Sequence, residues 1–156
     1  MTTIEISQAT VRFAAMNLLA MREHSEDELY KKLTQKFNQS DLVVDVITGL
    51  KKDGLQSDTR FAEAFINMRK RQGKGQKIIA MELKERGVAN ELVVELVRAD
   101  DECWNKLALA VRQKKFSMLM PGDLKEKTKQ MRFLTGRGFS SASIQYALKS
   151  ENNDFI

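Results

Sequence analysis

Apolar residues recur along this chain at intervals of three and four positions, the spacing that places side chains on one face of an α-helix. The first stripe, Val11, Ala14, Ala15 and Leu18, predicts a helix over about residues 8–22. The same spacing continues to the C-terminal region and predicts nine helices in an all-α fold. The second helix is expected after Ser25, the third from Ser40 to Gly54, the fourth over 58–72 and the fifth over 76–86. The sixth is expected from Asn90, the seventh up to Lys115, the eighth after Asp123 and the ninth from near Ser141.

Helix starts are marked by residues whose side chains can cap the first turn. Ser25 with Glu28, and Asp123 with Glu126, have the spacing of a capping box, in which each residue bonds the amide of the other. Asn90 is the residue type expected at a helix cap, and we predict that it caps the sixth helix.

The order of polar and apolar residues in 40–47 returns in 90–97. The same shift of fifty positions aligns Val11 with Phe61, and a fainter third copy begins near Trp104. Self-similarity at such a period is typical of tandem helical repeats, each of which buries its apolar face partly against the next. We therefore predict an elongated array of three three-helix repeats at residues 1–53, 54–99 and 100–150, followed by a frayed tail at 151–156.

The composition of the chain and its N-terminal residues indicate the cellular compartment. A lone cysteine, Cys103, cannot form an internal disulfide, and the N-terminus lacks the basic start of a secretory signal. The longest apolar region, residues 11–21, is interrupted by Arg12 and Asn17 and is shorter than the ~20 residues that span a bilayer. We therefore expect a cytoplasmic protein without a membrane segment.

The residue types present give little support to catalysis. Acid–base, nucleophilic and metal sites use His, Cys and clustered carboxylates, whereas this chain has one His and one Cys, which are 79 positions apart. His24 falls at a helix junction, where we expect a turn-forming or exposed role. We predict that the protein is not an enzyme and uses no cofactor or metal.

Positive charge increases along the chain. Residues 1–50 carry five cations and seven anions (−2), residues 51–103 carry eleven and ten (+1), and residues 104–156 carry ten and four (+6). Such a gradient is expected of a protein that places one end against a polyanion.

Two basic clusters are candidate contacts for phosphates. The first surrounds the glycines Gly73 and Gly75, and the second contains only Asp123 and Glu126 as counter-charges. A helix C-terminus alone favours nearby cations, which explains the first three members of the first cluster but not the last two. The candidates are Arg69, Lys70, Arg71, Lys74 and Lys77 in the first, and Arg112, Lys114, Lys115, Lys125, Lys127, Lys129, Arg132 and Arg137 in the second, of which Lys127, Lys129, Arg132 and Arg137 are our main candidates.

Aromatic and methionine residues near the second cluster have two interpretations. Phe133 and Phe139 could stack on bases, but their positions on either side of a glycine stop favour packing in the core. For the loop residues Met118 and Met120, a flexible partner contact and local packing are equally supported.

Two stretches of sequence resemble a known family, and this resemblance is more specific than any inference from periodicity or charge. Residues 19–33 contain Leu-Ala-Met-Arg-Glu-His-Ser-Glu-Asp-Glu-Leu, and residues 58–65 contain Asp-Thr-Arg-Phe-Ala-Glu-Ala-Phe, followed by Arg-Lys-Arg-Gln-Gly-Lys-Gly. Together they resemble the RecX family of bacterial recombination regulators over nearly the whole chain, most specifically over residues 54–87. Gln76 departs from the family, which usually has proline at the start of the fifth helix.

This resemblance implies a small helical protein that binds the RecA recombinase filament on single-stranded DNA. It also implies that the protein reduces filament growth, ATP hydrolysis, strand exchange and cleavage of the SOS repressor, by acting in the helical groove or at filament ends. We expect a monomer whose partners are the RecA nucleoprotein filament, single-stranded DNA and, as a further candidate, double-stranded DNA.

Two other functions remain open from the sequence. A stand-alone helical DNA-binding module or transcriptional regulator needs side chains that read base edges, for which Gln76 and Gln130 are the chief candidates. A scaffold that binds only proteins would have no salt-sensitive affinity for DNA.

Overall fold

The computed structural model describes residues 6–149, and regular secondary structure in that part of the chain is entirely helical, as predicted. The tail predicted at 151–156 lies outside these residues. Within 6–149, no helix combines the length and the apolar content needed to cross a bilayer. The helices are α1 (Gln8–Met21), α2 (Glu26–Phe37), α3 (Ser40–Lys52), α4 (Asp58–Arg71), α5 (Gln76–Glu85), α6 (Asn90–Val97), α7 (Glu102–Phe116), α8 (Leu124–Gly136) and α9 (Ser141–Lys149).

Most of the predicted helix starts are confirmed by side-chain caps. The Ser25 hydroxyl accepts a hydrogen bond from the Glu28 amide at 3.0 Å, and the Glu28 carboxylate accepts one from the Ser25 amide at 3.1 Å. Asp123 caps α8 by accepting a hydrogen bond from the Glu126 amide at 2.8 Å, but the reciprocal bond of the predicted capping box is not formed, because the Glu126 carboxylate accepts a hydrogen bond from the Gln130 side chain at 3.3 Å instead. The predicted cap at Asn90 is wrong, because Asn90 is already helical and the extended residue before it is the N-cap.

Each triplet of helices encloses its own apolar core. Helices α1–α3 pack around Leu29 and Leu50, α4–α6 around Phe65 and Leu83, and α7–α9 around Leu134. Three cores that follow one another along the chain, instead of one shared core, produce the predicted elongated array of three-helix repeats.

Trp104 of α7 crosses the boundary between two of these cores. We predict it in the third repeat, but it is fully buried in the core of the second. Its indole Nε1 donates hydrogen bonds to the carbonyl oxygens of Val97 and Arg98, both at 3.0 Å. The end of α6 leaves these carbonyl groups without helical partners, and the first turn of α7 supplies a donor for them.

The junction between the first and second repeats is polar. The Ser25 hydroxyl donates a hydrogen bond to the carbonyl oxygen of Arg86 at 2.7 Å. Nearby, Gly87 has a φ of 81°, and a Cβ atom at this position would lie 2.4 Å from the Cβ of Asp27. Both the left-handed backbone and the close approach therefore require glycine here.

His24 lies at this same junction and is buried, so the exposed role that we considered for it is wrong. Its Nδ1 lies 3.0 Å from the Arg22 carbonyl oxygen, and its Nε2 lies 2.9 Å from Nζ of Lys32. Because the lysine ammonium can only donate, Nε2 accepts and Nδ1 carries the ring proton, as in neutral imidazole. Burial, together with the positive charges of Arg22 and Lys32, lowers the pKa of His24.

The junction between the second and third repeats is a contact between two backbone segments. The Gly75 amide donates a hydrogen bond to the Arg137 carbonyl at 2.7 Å, and the Lys77 amide donates one to the Gly138 carbonyl at 2.9 Å. The segments are so close that a Cβ atom on Gly75 would lie 2.4 Å from the carbonyl carbon of Gly138. These bonds fix the turn before α5 against the turn between α8 and α9.

Gln76 strengthens this second junction through its side chain. The residue is 1% exposed, and its amide nitrogen lies 3.1 Å from the hydroxyl oxygens of both Ser140 and Ser143. The side chain of Gln76 therefore joins α5 to α9 through hydrogen bonds.

Candidate nucleic-acid interface

A groove of about 380 Å³ lies between the C-terminal end of α4, the last turns of α7 and the end of α8. We call it the basic groove. Of the described residues that line it, five are cationic and none is Asp or Glu. The cations are Lys70, Arg71, Lys114, Lys115 and Arg137.

The basic groove is assembled from two repeats. Lys70 and Arg71 occupy the last turn of α4, and Lys114 and Lys115 occupy the last turn of α7, where the negative ends of the helix dipoles favour cations. Arg137 follows α8, and its carbonyl group is held by the Gly75 amide. The junction between the repeats therefore brings together charges that are more than forty residues apart in sequence.

Phe133 forms an aromatic wall of the basic groove. Its ring packs edge-on against Phe116, with centroids 5.3 Å apart. The Lys115 ammonium and the Arg137 guanidinium lie 5.5 Å and 5.4 Å from its centroid, distances at which a ring attracts cations. The packing predicted for both phenylalanines is confirmed, because Phe133 is half-buried against the third core and Phe139 is 2% exposed.

The cations of the first cluster point in different directions, and not all of them face the basic groove. Arg69 turns away from the basic groove and pairs with Glu82 at 2.7 Å. Lys70 lies over the Trp104 ring, with Nζ 4.6 Å from the centroid and 3.5 Å from the sulfur of Cys103. Burial raises the pKa of the Cys103 thiol, so the sulfur beside Lys70 is neutral at pH 7. Arg71 is exposed.

Lys74 and Lys77 lie at the junction, outside the basic groove. Lys74 is partly buried, and its amide donates a hydrogen bond to the Arg69 carbonyl oxygen at 3.0 Å. Lys77 is exposed in the first turn of α5, next to Gly138. Neither residue therefore belongs to the lining of the basic groove.

The second cluster also divides, because α8 presents its cations on several sides. Lys129 and Arg132 line a separate cleft together with Lys125, at the i, i+4 and i+7 spacing of one helix face. Lys127 is exposed but belongs to neither cleft. Of the four cations selected from this cluster, only Arg137 reaches the basic groove.

Arg112 is a structural residue, although the sequence places it in the second cluster. It is fully buried, and its guanidinium donates hydrogen bonds to the carbonyl oxygens of Ala147 at 3.0 Å and Leu119 at 3.2 Å. It thereby fixes the loop between α7 and α8. In this loop Met120 packs on the third core, while Met118 is 65% exposed.

The two glutamines considered as base readers are both buried. Gln76 bonds across the second junction, as described above, and Gln130 is 2% exposed with its amide oxygen 3.4 Å from the Arg112 guanidinium. The prediction that they could read base edges is therefore wrong, because neither amide faces the solvent. The basic groove instead offers five cations for contacts with phosphates.

Comparisons with known proteins agree with this architecture. Residues 57–96 match the family model of the second three-helix domain of RecX, and residues 102–148 match that of the third. The chain is 37% identical over 144 residues to Regulatory protein RecX of Halorhodospira halophila, covering 92% of this chain and 89% of the relative. It is 35% identical to Regulatory protein RecX of Pseudomonas tolaasii, covering 99% of each.

Solved structures share the fold at lower sequence identity. The crystal structure of RecX from Lactobacillus salivarius superposes with a TM-score of 0.79 at 19% identity, over 96% of this chain and 97% of that one. A second crystal structure of regulatory protein RecX gives a TM-score of 0.77 at 20% identity, over 96% and 82% of the two chains. Taken with the domain matches and the identities of the relatives, these findings show that the chain belongs to the RecX family of regulatory proteins.

Proposed function

We propose that this protein is a negative regulator of RecA that binds the RecA filament on single-stranded DNA. In this proposal it lies in the helical groove of the filament and inhibits filament growth, ATP hydrolysis, strand exchange and coprotease activity. Membership in the RecX family supports the regulatory role, and an elongated array of repeats is a suitable shape for a long groove.

The observation that carries the DNA contact is the basic groove. Five cations and no carboxylate of residues 6–149 line it, so a phosphate backbone would meet attraction from both repeats at once. Each phosphate contact on a single strand releases about 0.7 counterions, so five contacts predict a salt slope of about −3.5. Affinity for single-stranded DNA should then fall roughly 100-fold between 50 and 200 mM salt.

The remaining exposed cations suit protein or DNA contacts elsewhere on the filament. Lys125, Lys129 and Arg132 line a cleft on α8 that is separate from the basic groove and that also contains Asp123 and Glu126. Residues 1–50 carry a net charge of −2, which suits a basic surface of a neighbouring RecA protomer. Opposite charges at the two ends would orient the array along the filament.

The test is ATP turnover by RecA on single-stranded DNA with this protein added. We expect turnover to fall with dose, and the double variant Lys114→Glu, Lys115→Glu to inhibit much less at the same dose. The matched control is Lys36→Glu, Lys52→Glu, which reverses two exposed charges in the first repeat and should inhibit like the wild type. Unchanged turnover at a saturating dose of wild-type protein would refute the proposal.

The position on the filament needs a separate measurement. Labelled protein imaged on preformed RecA filaments should decorate them along their length if it lies in the helical groove. Decoration confined to the filament ends would contradict groove binding and favour a cap that blocks growth.

A further inference from the structure

A second groove of about 380 Å³ lies where the α1–α2 corner meets α4 and the end of α5. We call it the arginine groove. Its floor is apolar, formed by Phe61 and Phe65, with Met68 36% exposed within it. Four arginines line it, namely Arg22, Arg69, Arg71 and Arg86.

Two of these arginines are held in place by stacking and by a shared carboxylate. The guanidinium carbons of Arg69 and Arg86 lie 4.9 Å and 4.7 Å from the centroid of the Phe65 ring. Glu82 lies between them, 2.7 Å from a nitrogen of Arg69 and 3.9 Å from one of Arg86. Because one carboxylate faces two fixed guanidinium groups, this pair keeps one positive charge.

The glutamates that line the arginine groove are already paired. Glu28 accepts two hydrogen bonds from Arg22, at 3.0 and 3.1 Å, and Glu23 accepts one from Arg60 at 3.1 Å. For Arg71, no carboxylate of residues 6–149 lies within ion-pair distance. The groove therefore has an excess of guanidinium groups around an apolar floor.

We propose that the arginine groove binds an acidic peptide segment of a protein partner. A large apolar side chain of the peptide would lie against Met68, whose flexible thioether adapts to different shapes. Carboxylates beside that side chain would bind Arg71 and Arg86, whose planar groups match carboxylate geometry. This inference goes beyond the regulation of RecA and does not depend on it.

The lining of the two grooves explains why a peptide is favoured here over a nucleic acid. Glu23 and Glu28 are paired with arginines, so the described lining of the arginine groove keeps an excess of positive charge at Arg71 and at the Arg69–Arg86 pair, too little to follow a continuous phosphate backbone. No carboxylate of the described residues, by contrast, lines the basic groove. A peptide can place its few carboxylates away from these glutamates, and its apolar side chain uses a floor that phosphates would leave exposed to water.

The first test uses fluorescein-labelled octapeptides and the wild-type protein without RecA or DNA. One peptide has Phe flanked on both sides by Asp and Glu. A second has Ala in place of Phe, and a third has Asn and Gln in place of the acids. By fluorescence anisotropy we expect saturable binding of the first peptide and about tenfold weaker binding of the others, the effect of losing one anchor.

Methionine methyl NMR locates the bound peptide. With ¹³C-methyl methionine, the signal of Met68 should shift on titration with the first peptide, while that of Met118, on the far loop of the third repeat, should not. Met68→Ala should weaken binding about tenfold, and Lys114→Glu with Lys115→Glu should leave it unchanged.

Three results would overturn the proposal: absence of binding at millimolar first peptide, equal binding by the Met68→Ala variant, or a shift of Met118 instead of Met68. A failure here leaves RecA inhibition intact, because the peptide assay contains neither RecA nor DNA.

Discussion

Replacing Gly75 with alanine tests whether the second and third repeats are held together by direct backbone contact. The new Cβ atom would lie 2.4 Å from both the carbonyl carbon of Gly138 and the amide nitrogen of Phe139, whereas ordinary contact begins at 3.4 Å. Since both neighbours are backbone atoms, no rotation of a side chain can relieve the clash. The two turns must separate by about 1 Å, the difference between these distances.

The separation of the two turns determines how much stability the substitution costs. The hydrogen bonds from the Gly75 and Lys77 amides, now 2.7 and 2.9 Å, would stretch beyond the ~3.2 Å limit of good geometry. Two weakened bonds at about 1 kcal/mol each, with an overpacking cost of about 1–3 kcal/mol, lower the free energy of unfolding by roughly 3–5 kcal/mol. Because alanine also restricts the unfolded chain, up to ~1 kcal/mol is recovered, and we expect a net loss of about 2–5 kcal/mol.

The assay is urea unfolding at constant pH, followed by circular dichroism and by fluorescence of Trp104. This residue is the single tryptophan of the chain and is buried beside the same junction. The matched control is Gly49→Ala in α3, whose new Cβ would lie an ordinary 3.7 Å from Arg12 and should stabilise the helix by up to ~1 kcal/mol. Equal or greater stability of Gly75→Ala relative to the wild type would refute the proposed contact.

For three further variants, the structure predicts the direction in which stability or DNA affinity changes. Folding lowers the pKa of His24 below the ~6.5 of the unfolded chain, so the unfolded state binds more protons at low pH. The urea concentration at the unfolding midpoint should therefore decrease when the pH is lowered from 7 to 5.5 in the wild type, but stay nearly constant in His24→Gln. Arg112→Met leaves buried carbonyl groups without that donor and should cost at least about 3 kcal/mol in chemical denaturation; a loss below 1 kcal/mol would contradict this. The salt slope for single-stranded DNA should become shallower by at least about 1.4 in Lys114→Glu with Lys115→Glu, and an unchanged slope would remove both from the interface.

The helices and their tandem grouping could be predicted from sequence because both depend on local spacing. Apolar residues at helical intervals fix the faces, and the cap at Ser25 is a signal within four residues. The placement of Trp104 could not be predicted in this way. Its indole donates to the carbonyl groups of Val97 and Arg98, which have no helical partners, and these groups are known only once the end of α6 is placed.

The candidate site was only partly predictable, because charge alone does not tell where a side chain lies. Arg69, Lys70 and Arg71 are consecutive, yet successive helical residues differ in direction by about 100°. The first therefore meets Glu82, the second meets Trp104, and the third remains exposed. The basic groove also needs the contact between the second and third repeats, for which the sequence offers no local signal.

Arg71 links the two proposed ligands, because its side chain lines both the basic groove and the arginine groove. An oligonucleotide in one groove and an acidic peptide in the other would share this single guanidinium. Each ligand should therefore raise the Kd of the other by the same factor, which is about fivefold for ~1 kcal/mol of coupling. Titrating labelled oligonucleotide with and without saturating peptide, and then the reverse, measures both factors. Arg71→Ala should abolish the coupling while leaving two separate sites. Complete mutual exclusion in that variant would mean that both ligands occupy one groove, and an absence of coupling in the wild type would mean that Arg71 contacts at most one of them.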